Sequence, residues 1–369
     1  MTPRQRVLSV YAGKKPDQVP LLLDLSHWYK ANYKIAFDLT GFKGIDTKLV
    51  DLHKQLNAVS YVEMGGHFDL YFEDDAISDE AWTDSNGVFH RKISTPLGSI
   101  EEERVFSPIS YSYNIREHLI KTVKDFEIIK YVMDRYKVRA CWDRYQMWRD
   151  AMGELGVIYS MLPYSGLGYL ISRNFGVENT CMAMFDAPEE TKALIESVNK
   201  CNIRILDELI DGPFEVLIIS DNFDSNVQNP KMFNEYSRAY YAEVAQRLHA
   251  RSKYLAVHVD GEMNGCLSNF AQCGADCIDA ATPAPMFTLS PAQARAQAGK
   301  DMILSGGIPA NIFGPTATDE EFEDCVVQWL ETRHDSFRLF MAAGDQVPPD
   351  ASWDRIAKLP ALVEKYGKY

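Results

Sequence analysis

The chain has no apolar run approaching the about 18 residues of a membrane span. Its opening residues, MTPRQRVLSVYAGKKPDQVP, hold no apolar core of signal-peptide length. The expectation is a cytoplasmic protein that does not enter a membrane. Seven cysteines (141, 181, 201, 266, 273, 277, 325) form no CxxC pair. Their odd number argues against a disulfide framework and for a reducing compartment. Positive charge is scarce: 38 Lys and Arg face 52 Asp and Glu, for a net −14. That excludes a general nucleic-acid surface, which needs clustered basic side chains. No glycine-rich phosphate turn follows the first strand-like run, and SGLGYL at 165–170 is a lone glycine pair. Both absences speak against a doubly wound nucleotide-binding sheet. There is no low-complexity tract and no internal repeat.

What is present suffices for a large core: 46% of the 369 residues are hydrophobic and 24% charged. Thr2-Pro3 opens a helix over 3–12, which Gly13 ends. VPLLLDL at 19–25 reads as a buried strand, 46–57 as a helix, and SYVEM at 60–64 as the next strand. Between 68 and 113 the pattern changes to period two, with Asn86-Gly87 between two alternating runs. This predicts an antiparallel hairpin insertion. Residues 123–153 read as helical. Strand-like runs then recur at 157–162, 214–220, 254–258, 277–280, 301–307 and 337–343, separated by helical segments at 168–186, 188–211, 230–250, 263–273, 291–299 and 319–333; a terminal helix covers 353–366. Eight strands alternating with helices imply an α/β fold, a (β/α)8 TIM barrel in one domain spanning 1–369.

In such a barrel the chemistry sits where strands end. His258 and Asp260 follow the fifth strand and Asp345 the eighth. His258 is either functional or a hydrogen-bonded core residue. Asp260 is either a site carboxylate or a cap for the following helix. Asp345 is either a partner of both or a turn residue. Asp24, His27 and Trp28 follow the first strand, where SHWY is either an aromatic wall or loop packing. His67 follows the second strand, Tyr164 the third, and Asp221-Asn222 the fourth, where an Asx turn competes with substrate binding. Asp279 and Thr282 follow the sixth. Cys266, Cys273 and Cys277 resemble a metal set but fit buried small hydrophobes better.

At these residues the chain resembles the uroporphyrinogen decarboxylase superfamily, which includes the corrinoid-dependent methyltransferases. The likeness runs through TPRQRVLSVYAGKKPDQVPLL, TPLGSI at 95–100, ISDNFDSNVQNPKMFNEY at 219–236, HVDG at 258–261, GAD at 274–276 and SGGIP at 305–309. The decarboxylase itself handles several tetrapyrrole carboxylates with an arginine-rich loop after the first strand. Here that place reads DLSHWYKANY, without arginine. The methyltransferase branch carries a zinc site of one His and two Cys, and the matching positions here are His258, Asp260 and Asp345. Two thiolates are replaced by carboxylates, a harder set that suits a Lewis-acidic divalent metal, such as zinc, or a proton-donating cluster.

The resemblance implies a methyltransferase that moves a methyl group from a methoxylated, aromatic compound to the Co(I) corrinoid (cobalamin) of a partner protein. Asp24, His27, Trp28, His67, Tyr164, Asp221 and Asn222 would shape the substrate pocket. A decarboxylase acting on a smaller carboxylic acid and a non-catalytic ligand-binding member are the alternatives. The resemblance also allows a homodimer.

Overall fold

The structure, a computed structural model, describes residues 1–36, 44–60 and 63–369. Seven strands run parallel in chain order: Glu63–Met64, Tyr159–Leu162, Val216–Ile219, Tyr254–His258, Cys277–Ala281, Ile303–Ile308 and Leu339–Ala343. The segment before Asp24 closes the ring. Leu21 forms a parallel bridge with Met341, and Leu22 forms one with Val59. Leu22 N donates to Met341 O at 2.8 Å, and Leu23 N to Val59 O at 2.9 Å. Pro20 accepts from Met341 N but has no N–H to return, so the ladder stays short here. The result is the (β/α)8 barrel. Tyr61 and Val62, inside the expected strand at 60–64, lie outside the described residues.

Strand alternation sorts the side chains into two cores. Leu22, Val59, Tyr159, Ile218, Ala256, Cys277, Ile303 and Phe340, from successive segments around the ring, share one inner cluster with Val7, Val10 and Tyr11. Those last three belong to helix Pro3–Tyr11, which plugs the N-terminal end of the barrel. Thr2 and Gln5 close a capping box on this helix, and Pro3 stands at its first turn, where a missing N–H costs nothing. A larger cluster, including Leu217, Val257, Ile278 and Leu304, fills the layer between strands and helices. Two residues beyond Ala256 and Cys277, the inward phase reaches His258 and Asp279.

The antiparallel insertion exists, with wider bounds and two parts. Strands Ser78–Thr83, Val88–Thr95, Gly98–Ser107 and Ser112–Glu117 form one four-stranded sheet. Asp84 caps its first turn, accepting from Asn86 N and Val88 N, with Gly87 at φ +79°. Separately, Phe68–Tyr71 pairs with Lys137–Ala140. That second pairing corrects the helical reading of 123–153. The aromatics there belong to two helices, Phe126–Arg135 and Trp142–Met152, with a strand between them.

Two further segments differ from expectation. The helical stretch at 168–186 breaks at Gly176, φ +83°, and its first part is a π-helix over Tyr169–Asn174. The helix expected at 263–273 shortens to Leu267–Gln272. Cys266, Cys273 and Cys277 are buried and unpaired by disulfides.

The SHWY segment is a short helix, Ser26–Asn32, not a loop. Trp28 is 7% exposed, stacks on Trp353 at 5.3 Å and donates its indole N–H to Ala351 O at 2.9 Å. It therefore anchors the chain's end against the barrel mouth. Trp28→Ala should lower unfolding stability by about 3 kcal/mol, measured by urea denaturation; a residue serving only as a substrate wall would leave stability nearly unchanged. No helix among the described residues is long and apolar enough to cross a membrane.

Candidate active site

His258 ends the fifth strand and lies in direct register with Asp279 of the sixth. The pairing becomes chemical because both side chains point inward. His258 Nδ1–H donates to Asp279 Oδ2 at 3.0 Å, and Ser305 Oγ donates to Asp279 Oδ1 at 3.3 Å. A register shift between Ile278 and Ala281, with Ala280 held at φ +61°, marks a bulge immediately after Asp279. Bulges of this kind re-aim side chains beside active sites. With Nδ1 committed, Nε2 faces the open mouth, 3.6 Å from Asp345 Oδ1. A carboxylate on Nδ1 fixes the ring and leaves Nε2 to do the chemistry.

Asp345 reaches this point because its loop is stitched down on both flanks. Gly344 N donates to Ile308 O, and Thr282 Oγ1 donates to Gly344 O at 2.8 Å. A Cβ on Gly344 would lie 2.2 Å from that hydroxyl. Gln346 Nε2 donates to Asp24 Oδ2 at 3.2 Å, and Val347 N to Asp24 O at 2.9 Å.

One ligand atom each from His258, Asp260 and Asp345 falls within 4.8 Å of the others. Asp260 caps no helix. The next helix, Leu267–Gln272, has Cys266 at its N-cap and no side-chain cap; the turn between is held by Glu262, whose Oε1 accepts from Met263 N and Asn264 N and whose Oε2 accepts from Thr288 N. Asp260 keeps an exposed surface at the rim. The packed walls around its carboxyl and the charge of Asp345 push it up to about 6, while His258 pulls the other way.

The other candidates divide. Asp24 is half-buried below the rim, its carboxyl raised by desolvation and further by Asp345; Ser26 N donates to its Oδ1 at 2.8 Å. It supports the Asp345 loop directly. Asp221 is fully buried, accepting from Ser165 N at 2.6 Å and from the Tyr241 hydroxyl. Burial raises its carboxyl, and His258 lies within electrostatic reach. It is not an Asx turn; it pins the loop after the third strand to the fourth. A Cβ on Gly168 would come 2.5 Å from its Oδ1, so the glycine is required for this approach. Asn222 follows, exposed, at φ +46°. Tyr164 is half-buried in the same mouth.

His27 is half-buried, its Nε2 3.2 Å from Tyr111 O of the antiparallel lobe. His67 departs from its expected place. It is 0% exposed, bonded through Nε2 to Ser160 Oγ at 2.8 Å and stacked on Trp142. Ser160 alternates out of phase with the inward Tyr159, so this pair lies in the helix layer, away from the mouth. Trp28 is likewise taken up by packing.

Sequence reasoning noted Asp279 at a strand end without giving it a role. Only the register couples it to His258. A second cluster, His90 with Glu101 and Glu103, lies on the lobe, but Arg116 holds Glu103 and Trp82 stacks on His90. It reads as a cross-strand ion-pair network.

A closed parallel barrel with a histidine–carboxylate cluster at its C-terminal mouth defines the class: an α/β barrel whose chemistry is carried by strand-end loops. The family model described as uroporphyrinogen decarboxylase (URO-D) matches residues 114–366, so the chain belongs to that family. Among solved structures, it is similar to a methyltransferase from Methanosarcina mazei, with TM-score 0.64 and 12% identity over 99% of each chain. It also aligns with Dispersin B at TM-score 0.32 and 11% identity, covering 95% of this chain and 99% of that one. No curated protein matches in sequence.

Proposed function

We propose that residues 1–369 form one barrel unit acting as a methyltransferase, which takes a methyl group from a methoxylated aromatic compound and passes it to the Co(I) corrinoid of a partner protein. The observation that carries the reading is the convergence of His258, Asp260 and Asp345 at the mouth. The name of the full-length structural neighbour supports the reaction class. Acceptor and donor come from the likeness to the family's methyltransferase branch.

Breaking a methyl–oxygen bond leaves negative charge on the departing oxygen. His258 Nε2 and the carboxylates of Asp260 and Asp345 are a donor set that fits a divalent ion, with Asp279 orienting the imidazole. An ion bound there would supply Lewis acidity toward the leaving oxygen. The chain's own contribution is positional. The stitched Asp345 loop and the His258–Asp279 pair hold the cluster rigid, while Tyr164 and Asn222 stand at the rim where a planar donor would enter. The hard methyl chemistry belongs to the acceptor's cobalt.

The test combines the purified protein, a corrinoid protein and a panel of aryl methyl ethers. Corrinoid-dependent loss of the methyl group supports the reading, and its absence across the panel refutes it. The family description favours a second reading, decarboxylation of a small acid; carbon dioxide release without methyl transfer would establish that instead.

Metal binding should depend on pH in a definite direction. Asp260 is raised to about 6 in the metal-free protein, above the ordinary carboxylate value of about 3.9. Below about 6 the ion must displace a proton from Asp260, and the imidazole must be neutral to ligate, so affinity should fall by at least about tenfold per pH unit there and rise toward a plateau at higher pH. Calorimetric titration with Zn2+ between pH 5 and 7.5 reads this. Asp345→Asn removes the repelling charge and should move the break in the curve to lower pH.

A further inference from the structure

The loop after the first strand offers no arginine fork for an anion, but the fold groups arginines from elsewhere near Tyr164, which follows the third barrel strand. Arg91 and Arg104 rise from the antiparallel lobe, and Arg173 comes from the π-helical turn Tyr169–Asn174; the three lie within electrostatic reach of one another, with Glu102 and Tyr164 beside them. Two are already satisfied. Arg91 forks Asp79 at 2.8 and 2.7 Å. Arg104 forks the buried Glu102, with Nη2 2.7 Å from each oxygen.

Arg173 differs. Among the described residues its guanidinium has no hydrogen bond and no ion pair; only its backbone carbonyl is engaged, 3.3 Å from His118 Nδ1. The cluster therefore holds three guanidinium groups against two carboxylates, and both carboxylates are closed on other arginines. One positive charge is left over, half-buried, in a chain of net charge −14.

Its position ties it to the site. Ser172, the preceding residue, donates to Asp221 O at 3.2 Å. Tyr164, whose ring lies within Arg173's field, follows the third barrel strand. Burial and the charge of Arg104 hold the Arg173 guanidinium below its usual value, yet a guanidinium does not deprotonate in a protein. A partly desolvated cation that keeps its charge costs free energy until an anion closes on it. The planar five-donor fork suits a carboxylate.

We infer that Arg173 is the carboxylate-recognition residue of this mouth and that the donor is an aromatic acid, not a neutral ether. The donor's identity as a methyl ether rests on the function proposed above; the charge it carries does not. Arg91 and Arg104, pinned by their own carboxylates, leave Arg173 as the guanidinium of the three that is open to an incoming anion.

The test is binding, measured calorimetrically without any corrinoid, of paired probes: 3- and 4-methoxybenzoate against 3- and 4-methoxybenzamide. Wild type should bind at least one acid on the order of tenfold more tightly than its amide. Arg173→Gln should bring that pair to within about twofold, at unchanged amide affinity, and Arg173→Lys should keep part of the preference. Melting curves check that the variants fold; should the glutamine variant not fold, the wild-type pairs and the lysine variant decide. The inference is overturned if no acid is preferred over its amide, or if Arg173→Gln keeps the preference. An acid bound through Arg173 but never demethylated would sink the methyl-transfer reading alone. Equal transfer from acids and amides would sink this inference alone.

Discussion

His258→Ala should abolish stoichiometric binding of added divalent metal and lower methyl transfer on the order of a thousandfold, equivalent to several kcal/mol of leaving-group stabilisation. The size follows from the geometry. Nε2 is the imidazole atom nearest the mouth, 3.6 Å from Asp345, and no other imidazole among the described residues groups with Asp260 and Asp345 within ligand distance. Elemental analysis after metal loading, with single-turnover transfer to a corrinoid protein, measures both effects. The substitution also strands Asp279, so a thermal melt belongs beside the assay. A variant that folds, holds metal and turns over normally would remove the cluster from the mechanism.

The barrel was legible because the chemistry of parallel strands is written locally: short apolar runs alternating with longer helical segments. Even the first strand, reduced by Pro20 to two bridges, announced itself through VPLLLDL. His258 and Asp345 could be found because each stands at or just past the end of such a run. What could not be read were relations across strands. Asp279 matters through its register with His258 and the bulge at Ala280, and neither leaves a mark in the residue types. His67 looked like another strand-end histidine, yet it sits in a 3-10 turn, Gly65–His67, bonded to the outward phase of the third strand. Asp221 looked like a turn residue because its partners, Ser165 and Tyr241, lie 56 and 20 residues away. Arg173 gave no signal at all: its meaning depends on Asp79 and Glu102 being already occupied by other arginines. The helix over Ser26–Asn32 was missed because its aromatics are held by Trp353 and Ala351 from the far end of the chain.

Asp279→Asn should leave the fold intact and weaken metal binding by about 10- to 100-fold. The amide oxygen can still accept from His258 Nδ1–H, so the ring keeps its orientation, but the negative charge that strengthens the imidazole as a donor is gone. Asp279→Ala is harsher, since it leaves both the imidazole N–H and the Ser305 hydroxyl without their acceptor inside the barrel. That variant should also lose about 1–3 kcal/mol of stability. The two substitutions separate positioning from packing. If the carboxylate acts by polarising His258, the asparagine variant loses affinity without losing melting temperature, and the loss is the same for each divalent ion tried. If Asp279 only fills space at the end of the sixth strand, the asparagine variant binds like wild type and the alanine variant alone is affected, through stability. The first outcome would make the cross-strand register of the fifth and sixth strands the feature on which the chemistry of this barrel depends.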